Sequence, residues 1–306
     1  MLTTMSEIML TPDPRPLGKS GIAVGPIAWG MWRFAGVGPN EGRRLIEAAF
    51  AAGVTLFDTA DIYGFDGSSG FGDAEALLGR ILADAPDLRA RMVLATKGGI
   101  TPPVPYDSGR DYLMRALDAS LRRMRVDHVE LYQVHRPDIL SHPQEVARTL
   151  EDMVTSGKVR CVGVSNYTAP MTRALAAFLT IPLATQQPEF SPLALDPMTD
   201  GLFDEAMQHD VAILAWSPLG GGRIAMPTTP RETAVAAALD AIATRFGVDR
   251  SAAAYSWIMA HPARVIPIAG TQNPKRIAAL ADAFAIRWQR QDWYDVLVAA
   301  RGEKLP

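Results

Sequence analysis

From Val54 onward the chain alternates between two rhythms: short β-rich runs, and longer segments whose apolar residues recur three and four apart. The runs are VTLFD, MVLATK, HVELYQVH, VRCVGVS, LATQQ, VAILAWS and RVIPIAG. Between and after them come helical patterns at residues 74–82, 112–124, 146–154, 171–178, 202–207, a long Ala-rich stretch, and 276–284. Runs without polar alternation predict strands covered on both faces, as in parallel sheets, while each helical stripe, such as Leu113, Leu117, Leu121 and Met124, needs a surface to cover. Gly53 and Gly157 fall where helix C-caps are expected.

With GPIAWG as the first strand, the tally is eight strand and helix units. This predicts an α/β fold, a (β/α)8 TIM barrel in a single domain, because closure removes the edges that an open sheet leaves exposed. An open doubly wound sheet is the second reading. Ahead of the first strand, PLGKSGIAVGP reads as an N-terminal β-hairpin around Lys19, Ser20 and Gly21, placed to plug the barrel bottom. Residues 1–14 are expected to form a flexible leader and 15–306 the barrel, with one further helix over 292–300 packing on the core.

Composition narrows the function classes. The 306 residues carry a formal net charge of −3 with both signs interspersed, which offers no footprint for nucleic acid or anionic lipid. No run approaches the ~20 apolar residues of a membrane span. Cys161 is the single cysteine and lies inside an apolar run, which predicts a buried thiol and a reducing, cytoplasmic location. The five histidines show no zinc-ligand spacing, so no metal is expected. No long heptad or interface stripe marks a partner subunit.

The chemistry gathers at strand ends. In an α/β barrel those ends converge on one face, and catalytic groups come from several of them. FDTADIYG ends one strand at Asp58 and turns back so that Tyr63 overhangs the mouth; LATKGG ends the next at Lys97; LYQVH ends the third at His135. Taken singly, each has a bland reading as a cap, a packing ring or a surface charge. In order on adjacent strands about 4.8 Å apart, they can meet. A Lys97 ammonium beside Tyr63 would lower the phenol's pKa, and a drop of about 3 units requires about 4 kcal/mol. Asp58 would hold the lysine charged and aimed, and a neutral His135 would orient a substrate oxygen.

Here the chain resembles the aldo-keto reductase superfamily, whose members carry Asp, Tyr, Lys and His in this order in such a barrel. The likeness runs from residue 16 to about 284 and is closest to bacterial members with HRPD, here 135–138, and GGGR, here 220–223. The resemblance implies Tyr63 as proton donor, Lys97 and Asp58 as its tuners, His135 orienting the carbonyl, and a nicotinamide cofactor. It also implies that Ser165, Asn166 and Gln187 hold the nicotinamide amide and that Trp216 stacks on its ring. Ser217, Leu219, Gly220 and Arg223 match the pyrophosphate stretch; Gly270, Thr271, Gln272 and Arg276 match the adenine-side phosphate stretch, at a helix N-terminus that favours an anion. Arg276 makes NADPH the expected cofactor, with NADH possible. Ala279 and Leu280 stand where many members have a Glu-Asn pair that touches adenine.

Trp32, Phe34, Ile100 and Arg136 follow the first, third and fourth strands and are expected to line the approach of a small-molecule carbonyl substrate. The function expected is reduction of aldehydes or ketones. Two others stand beside it: a sugar or alcohol dehydrogenase using the same groups, and a binding subunit that senses the nucleotide. The Rossmann route is unsupported, because no strand-linked GxGxxG with a downstream acid occurs.

Overall fold

The computed structural model describes residues 7–306. Eight parallel strands close on themselves: β1 (Ala28–Gly30), β2 (Leu56–Asp58), β3 (Val93–Gly98), β4 (Val129–Val134), β5 (Val159–Ser165), β6 (Leu183–Gln187), β7 (Ala212–Ala215) and β8 (Ile266–Ala269). The ring shuts where Ile268 and Ala269 pair with Ala28 and Trp29. The closed barrel predicted from the alternation is therefore the one observed, and the open sheet is not.

The strands are mostly apolar toward their N-terminal ends because they are buried on both faces. Leu56, Ala95, Leu131, Cys161, Leu214 and Ile266 face inward and form one cluster. Their chain neighbours Phe57, Leu94, Tyr132 and Val162 face outward, under the helices. Those helices include α1 (Pro39–Ala51), α2 (Asp73–Asp84), α3 (Arg110–Met124), α4 (Pro143–Thr155), α5 (Ala169–Ala176), α6 (Leu202–His209) and α7 (Pro230–Phe246). The predicted stripe on α3, from Leu113 through Met124, is fully or nearly fully buried, and such burial stabilises by about 1.5–3 kcal/mol per side chain.

The N-terminal hairpin pairs Arg15–Pro16 with Ala23–Val24 and puts Leu17, wholly buried, into the inner cluster. That insertion seals the barrel bottom. Of the expected leader, residues 1–6 lie outside the described residues, whereas Ile8–Met9 pairs antiparallel with Arg287–Trp288. The last helix, Arg290–Arg301, packs as its stripe suggests: Trp293 stacks on Trp257 with ring centroids 4.8 Å apart, and each indole N–H donates to the other's carbonyl at 3.0 and 3.1 Å. With the bottom plugged, the mouth at the strand C-termini is the face left for chemistry.

Candidate active site

Asp58 ends β2, and the turn that follows is stitched to β3: Thr59 N–H donates to the Ala95 carbonyl at 2.9 Å and Asp61 N–H to the Lys97 carbonyl at 3.0 Å. This fold-back brings Tyr63 over Lys97. The Lys97 side chain is fully buried, and its three donors are all used: 2.6 Å to Asp58 Oδ2, 2.7 Å to the Thr59 carbonyl and 3.1 Å to the Tyr63 hydroxyl. His135 follows β4, held by its N–H on the Gly98 carbonyl at 2.8 Å. Its ring meets Tyr63 edge-on with centroids 5.8 Å apart, and Trp32 meets Tyr63 likewise at 5.0 Å.

Burial governs the electrostatics here. Burial alone pushes the Lys97 ammonium down, but Asp58 and Tyr63 outweigh it and hold the group above the ordinary lysine range. Burial pushes the Tyr63 phenol up, Lys97 pulls it back and Asp58 pushes it up again, so it stays above its ordinary value. That corrects the expected direction: Lys97 acts in the predicted sense, yet the loss of water around a nearly buried ring is larger. The resting phenol is neutral. His135 is held well below the usual histidine range by burial and by the charges of Lys97 and Arg136, so it is neutral as expected, and its Nδ1 is buried without a partner.

A second group of polar side chains joins this corner to β5, β6 and β7. Ser165 Oγ donates to the Gln187 carbonyl at 2.9 Å, and Asn166, at φ 60°, donates from Nδ2 to the His135 carbonyl at 3.0 Å. Asn166 Oδ1 accepts the Trp216 indole N–H at 2.9 Å, and Arg136 lies 6.0 Å from that ring. Gln187 reaches the other way, donating to Asp58 Oδ1 at 3.0 Å.

Around the rest of the rim the groups spread out. Ser217, Gly220, Gly221 and Gly222 have φ of 49, 58, 69 and 101°, a left-handed run that presents bare backbone beside half-buried Leu219. Arg223 is folded onto this loop, with Nε donating to the Gly220 carbonyl at 2.8 Å. After β8 the carbonyls of Gly270 and Thr271 accept from Arg33 at 3.5 Å and Trp29 at 2.8 Å, and Gln272 Oε1 is buried without a partner. Arg276 is exposed on the short helix Pro274–Ala278. Here an expectation fails: the helix N–H groups of Lys275 and Arg276 already donate to the Asn273 side chain, at 2.9 and 3.4 Å, so this terminus is capped rather than open to an anion.

Of the expected substrate-lining residues, Trp32 is exposed and Arg136 and Ile100 are half-buried, but Phe34 is wholly buried, edge-on to Trp29 at 5.5 Å. Phe34 belongs to the core. Several polar residues near the site escaped the sequence reading. Gln133 and Thr185 lie inside the barrel, fully buried. Asp61 is buried beside Glu75, which bonds Thr96 at 2.5 Å and Arg123 at 2.7 Å; burial first, then Glu75, holds the Asp61 carboxyl well above its ordinary range. The available signal was parity: Gln133 stands two residues from inward-facing Leu131 and so points inward, as Lys97 does beyond Ala95. Cys161 is buried, its thiol pushed up to about 12 by desolvation. Among the described residues no cluster of three or more His, Cys, Asp or Glu is placed to hold a metal ion, and no helix is long and apolar enough to cross a membrane.

Asp58, Tyr63, Lys97 and His135 thus gather at the C-terminal mouth of a closed parallel barrel, the face where barrel enzymes place their chemistry. The profile described as the Aldo/keto reductase family matches residues 26–297, and the chain belongs to that family. Members generally use nicotinamide cofactors. The chain is 60% identical to 6-dehydroglucose reductase of Novosphingobium aromaticivorans over 304 residues, 99% of this chain and 100% of that protein. A 6-dehydroglucose reductase of Agrobacterium fabrum is 38% identical over 91% of this chain and 95% of its own. The glycerol dehydrogenase structure from Gluconobacter oxydans shares the fold at a TM-score of 0.80 and 24% identity, covering 99% of this chain and 98% of that one.

Proposed function

We propose that this chain reduces an aldehyde or ketone to an alcohol, that Tyr63 is the proton donor, and that the substrate class is an oxidised sugar. One observation carries the acid role: the sealed Lys97 ammonium, paired with Asp58, lies 3.1 Å from the Tyr63 hydroxyl at the barrel mouth. The 60% identity to a 6-dehydroglucose reductase supports the sugar.

The residues present fit a nicotinamide nucleotide. Ser165, Asn166 and Gln187 offer amide and hydroxyl groups for the carboxamide, and Trp216 a ring for stacking. Bare backbone around Gly220, with Ser217, Leu219 and Arg223, suits a pyrophosphate. The orphaned Gln272 Oε1, with Gly270, Thr271 and Arg276, suits the adenine side, where the Arg276 guanidinium can fork onto a 2′-phosphate. NADPH is therefore preferred over NADH. When bound, the reduced nicotinamide supplies hydride to the carbonyl carbon.

The chain's own part is the proton. Burial keeps the Tyr63 phenol loaded at neutral pH, and the neutral His135 ring beside it orients the carbonyl oxygen. As the Tyr63 hydroxyl gives its proton to that oxygen, the phenolate left behind faces the Lys97 ammonium; at 3.1 Å and an effective dielectric near 20 their attraction is about 5 kcal/mol. That attraction offsets part of what burial costs the anion. Asp58 and the Thr59 carbonyl keep Lys97 from turning away.

The test is loss of nicotinamide absorbance with a panel of sugar aldehydes, including 6-dehydroglucose, set against simple aldehydes. Tyr63→Phe should lower turnover by about 10²- to 10⁴-fold, the usual worth of general acid catalysis, while NADPH still quenches tryptophan fluorescence. Turnover kept in that variant would refute the acid role. A preference for simple aldehydes would refute the sugar.

A further inference from the structure

Four residues stand level across four neighbouring strands: Lys97 of β3 pairs in register with Gln133 of β4, Gln133 with Gly163 of β5, and Gly163 with Thr185 of β6. Side chains at such a level form one layer of a barrel interior. Here the layer is polar where a barrel usually packs branched aliphatics. Gln133 and Thr185 are both wholly buried and hydrogen-bonded to each other, Thr185 Oγ1 to Gln133 Oε1 at 3.0 Å. Gln133 Nε2 lies 3.4 Å from Asp58 Oδ1, the oxygen that also accepts from Gln187.

The orientation of Gln133 follows from what its neighbours can do. An Asp58 carboxylate paired with Lys97 only accepts, so the amide must turn its N–H to it and its oxygen to the Thr185 hydroxyl. The gap at β5 makes this possible. A Cβ on Gly163 would stand 1.9 Å from Thr185 Oγ1, so only glycine lets the hydroxyl reach across that strand. The chain of contacts runs from Thr185 through Gln133 to Asp58, and from Asp58 Oδ2 to Lys97 and Tyr63.

We infer that Gln133, set by Thr185, is a positioning residue: it fixes the rotation of the Asp58 carboxylate so that Oδ2 stays on the Lys97 ammonium and Lys97 stays under Tyr63. Without it the far oxygen of the carboxylate is held by Gln187 alone, one hydrogen bond where there were two, and its rotation is less tightly set. Gln187 belongs to the proposed carboxamide site, so Gln133 is the member of the pair whose position does not depend on what is bound. The inference rests on Tyr63 being the proton donor. The charged and titratable groups around the layer are Asp58 on β2, Asp61 and Tyr63 after it, Lys97 on β3, and His135 and Arg136 after β4; β6 adds only uncharged Thr185 and Gln187.

Gln133→Leu keeps the shape and removes both hydrogen bonds. It should lower kcat by about 10- to 100-fold, the scale on which hydrogen bonds behind a reacting group act, with KM and NADPH affinity within about twofold of the parent. Its alkaline limb of kcat should also move to lower pH, because Lys97 loses part of its counter-charge. Gln133→Glu gives a more selective reading. The introduced carboxyl can donate to Asp58 only while protonated, so kcat should approach the parent value at low pH and fall about tenfold per unit above that group's pKa. Thr185→Val, which leaves Gln133 in place but unanchored, should show a smaller loss of the same kind and serves if Gln133→Leu does not fold.

A readout free of turnover is the double-mutant cycle of Gln133→Leu with Lys97→Met in thermal unfolding of the cofactor-free protein, where the two changes should be non-additive. Parent-like kcat in Gln133→Leu, a pH-independent ratio of Gln133→Glu to parent, or strict additivity would overturn the inference. Tyr63→Phe separates the two failures. If it retains turnover, the acid reading falls; if it is inactive while Gln133→Leu is unaffected, only the positioning role falls.

Discussion

The corner formed by β2, β3 and β4 and the rim formed after β7 and β8 are built on opposite principles. In the corner every donor of Lys97 has a partner inside the protein, and the side chains of Asp58, Lys97 and Gln133 are sealed from water. On the rim the polar surface is mostly backbone: a glycine run at positive φ and the carbonyls of 270 and 271, already tied to Arg33 and Trp29, beside an exposed Arg276 side chain. A group that must stabilise a charge formed within its reach gains from a dry, fixed setting, since interactions there are weakened least by solvent. The proposed cofactor, with its long, highly charged tail, would need close approach and several donors, which glycine backbone supplies.

The difference can be broken most severely at Lys97. Lys97→Met leaves Asp58 buried without its counter-charge, which should cost about 3–5 kcal/mol of stability, and should cut turnover by at least the 10²- to 10⁴-fold expected of general acid catalysis. Denaturant unfolding and steady-state rates check both. A variant as stable as the parent would mean that the corner is wetter than the structure shows.

Asp61 sharpens the same contrast through pH. Burial raises its folded pKa above the unfolded value of about 3.9, so the folded chain keeps a proton that the unfolded chain releases. Its favourable contribution is complete below about pH 3.9 and is lost as pH rises through the folded pKa. Asp61→Asn has no such term, so its stability relative to the parent should grow by about 1.4 kcal/mol per pH unit across that window. Parallel curves of Tm against pH for the two proteins would show that Asp61 carries no raised pKa.

The smallest effect belongs to the rim. Arg276→Ser removes an exposed guanidinium that bonds nothing inside the barrel, so Tm should hold while NADPH affinity falls about tenfold, the worth of one charged hydrogen bond, and NADH affinity stays level. Fluorescence titration with both nucleotides measures it. An equal fall for both would move Arg276 away from the 2′-phosphate.

The alternation of rhythms made the barrel legible, because a strand covered on both faces and a helix covered on one leave different traces in sequence. That Asp58, Tyr63, Lys97 and His135 would meet was legible for a related reason: they stand in order at the ends of adjacent strand runs, and such ends converge on one face of a barrel. Gln133 and Thr185 were not. They are uncharged and lie within the runs; only inward parity distinguishes Gln133 from filler, and the register shift opposite Gly163 hides Thr185 even from that. Phe34 could not be told from a lining residue, since one turn of Phe34–Gly36 decides whether its ring faces the mouth or Trp29. The direction of the Tyr63 shift was hidden as well, because charges can be counted along a chain but the loss of water around a ring cannot.

The sealed Lys97 has one more consequence. Of the five lysines, it alone has its Nζ enclosed with no spare hydrogen and no side-chain surface. Acylating reagents, and acetyl donors in a cell, therefore meet Lys19, Lys158, Lys275 and Lys304 but not this amine. Heavy labelling of the native protein should leave the Lys97 amine chemically untouched.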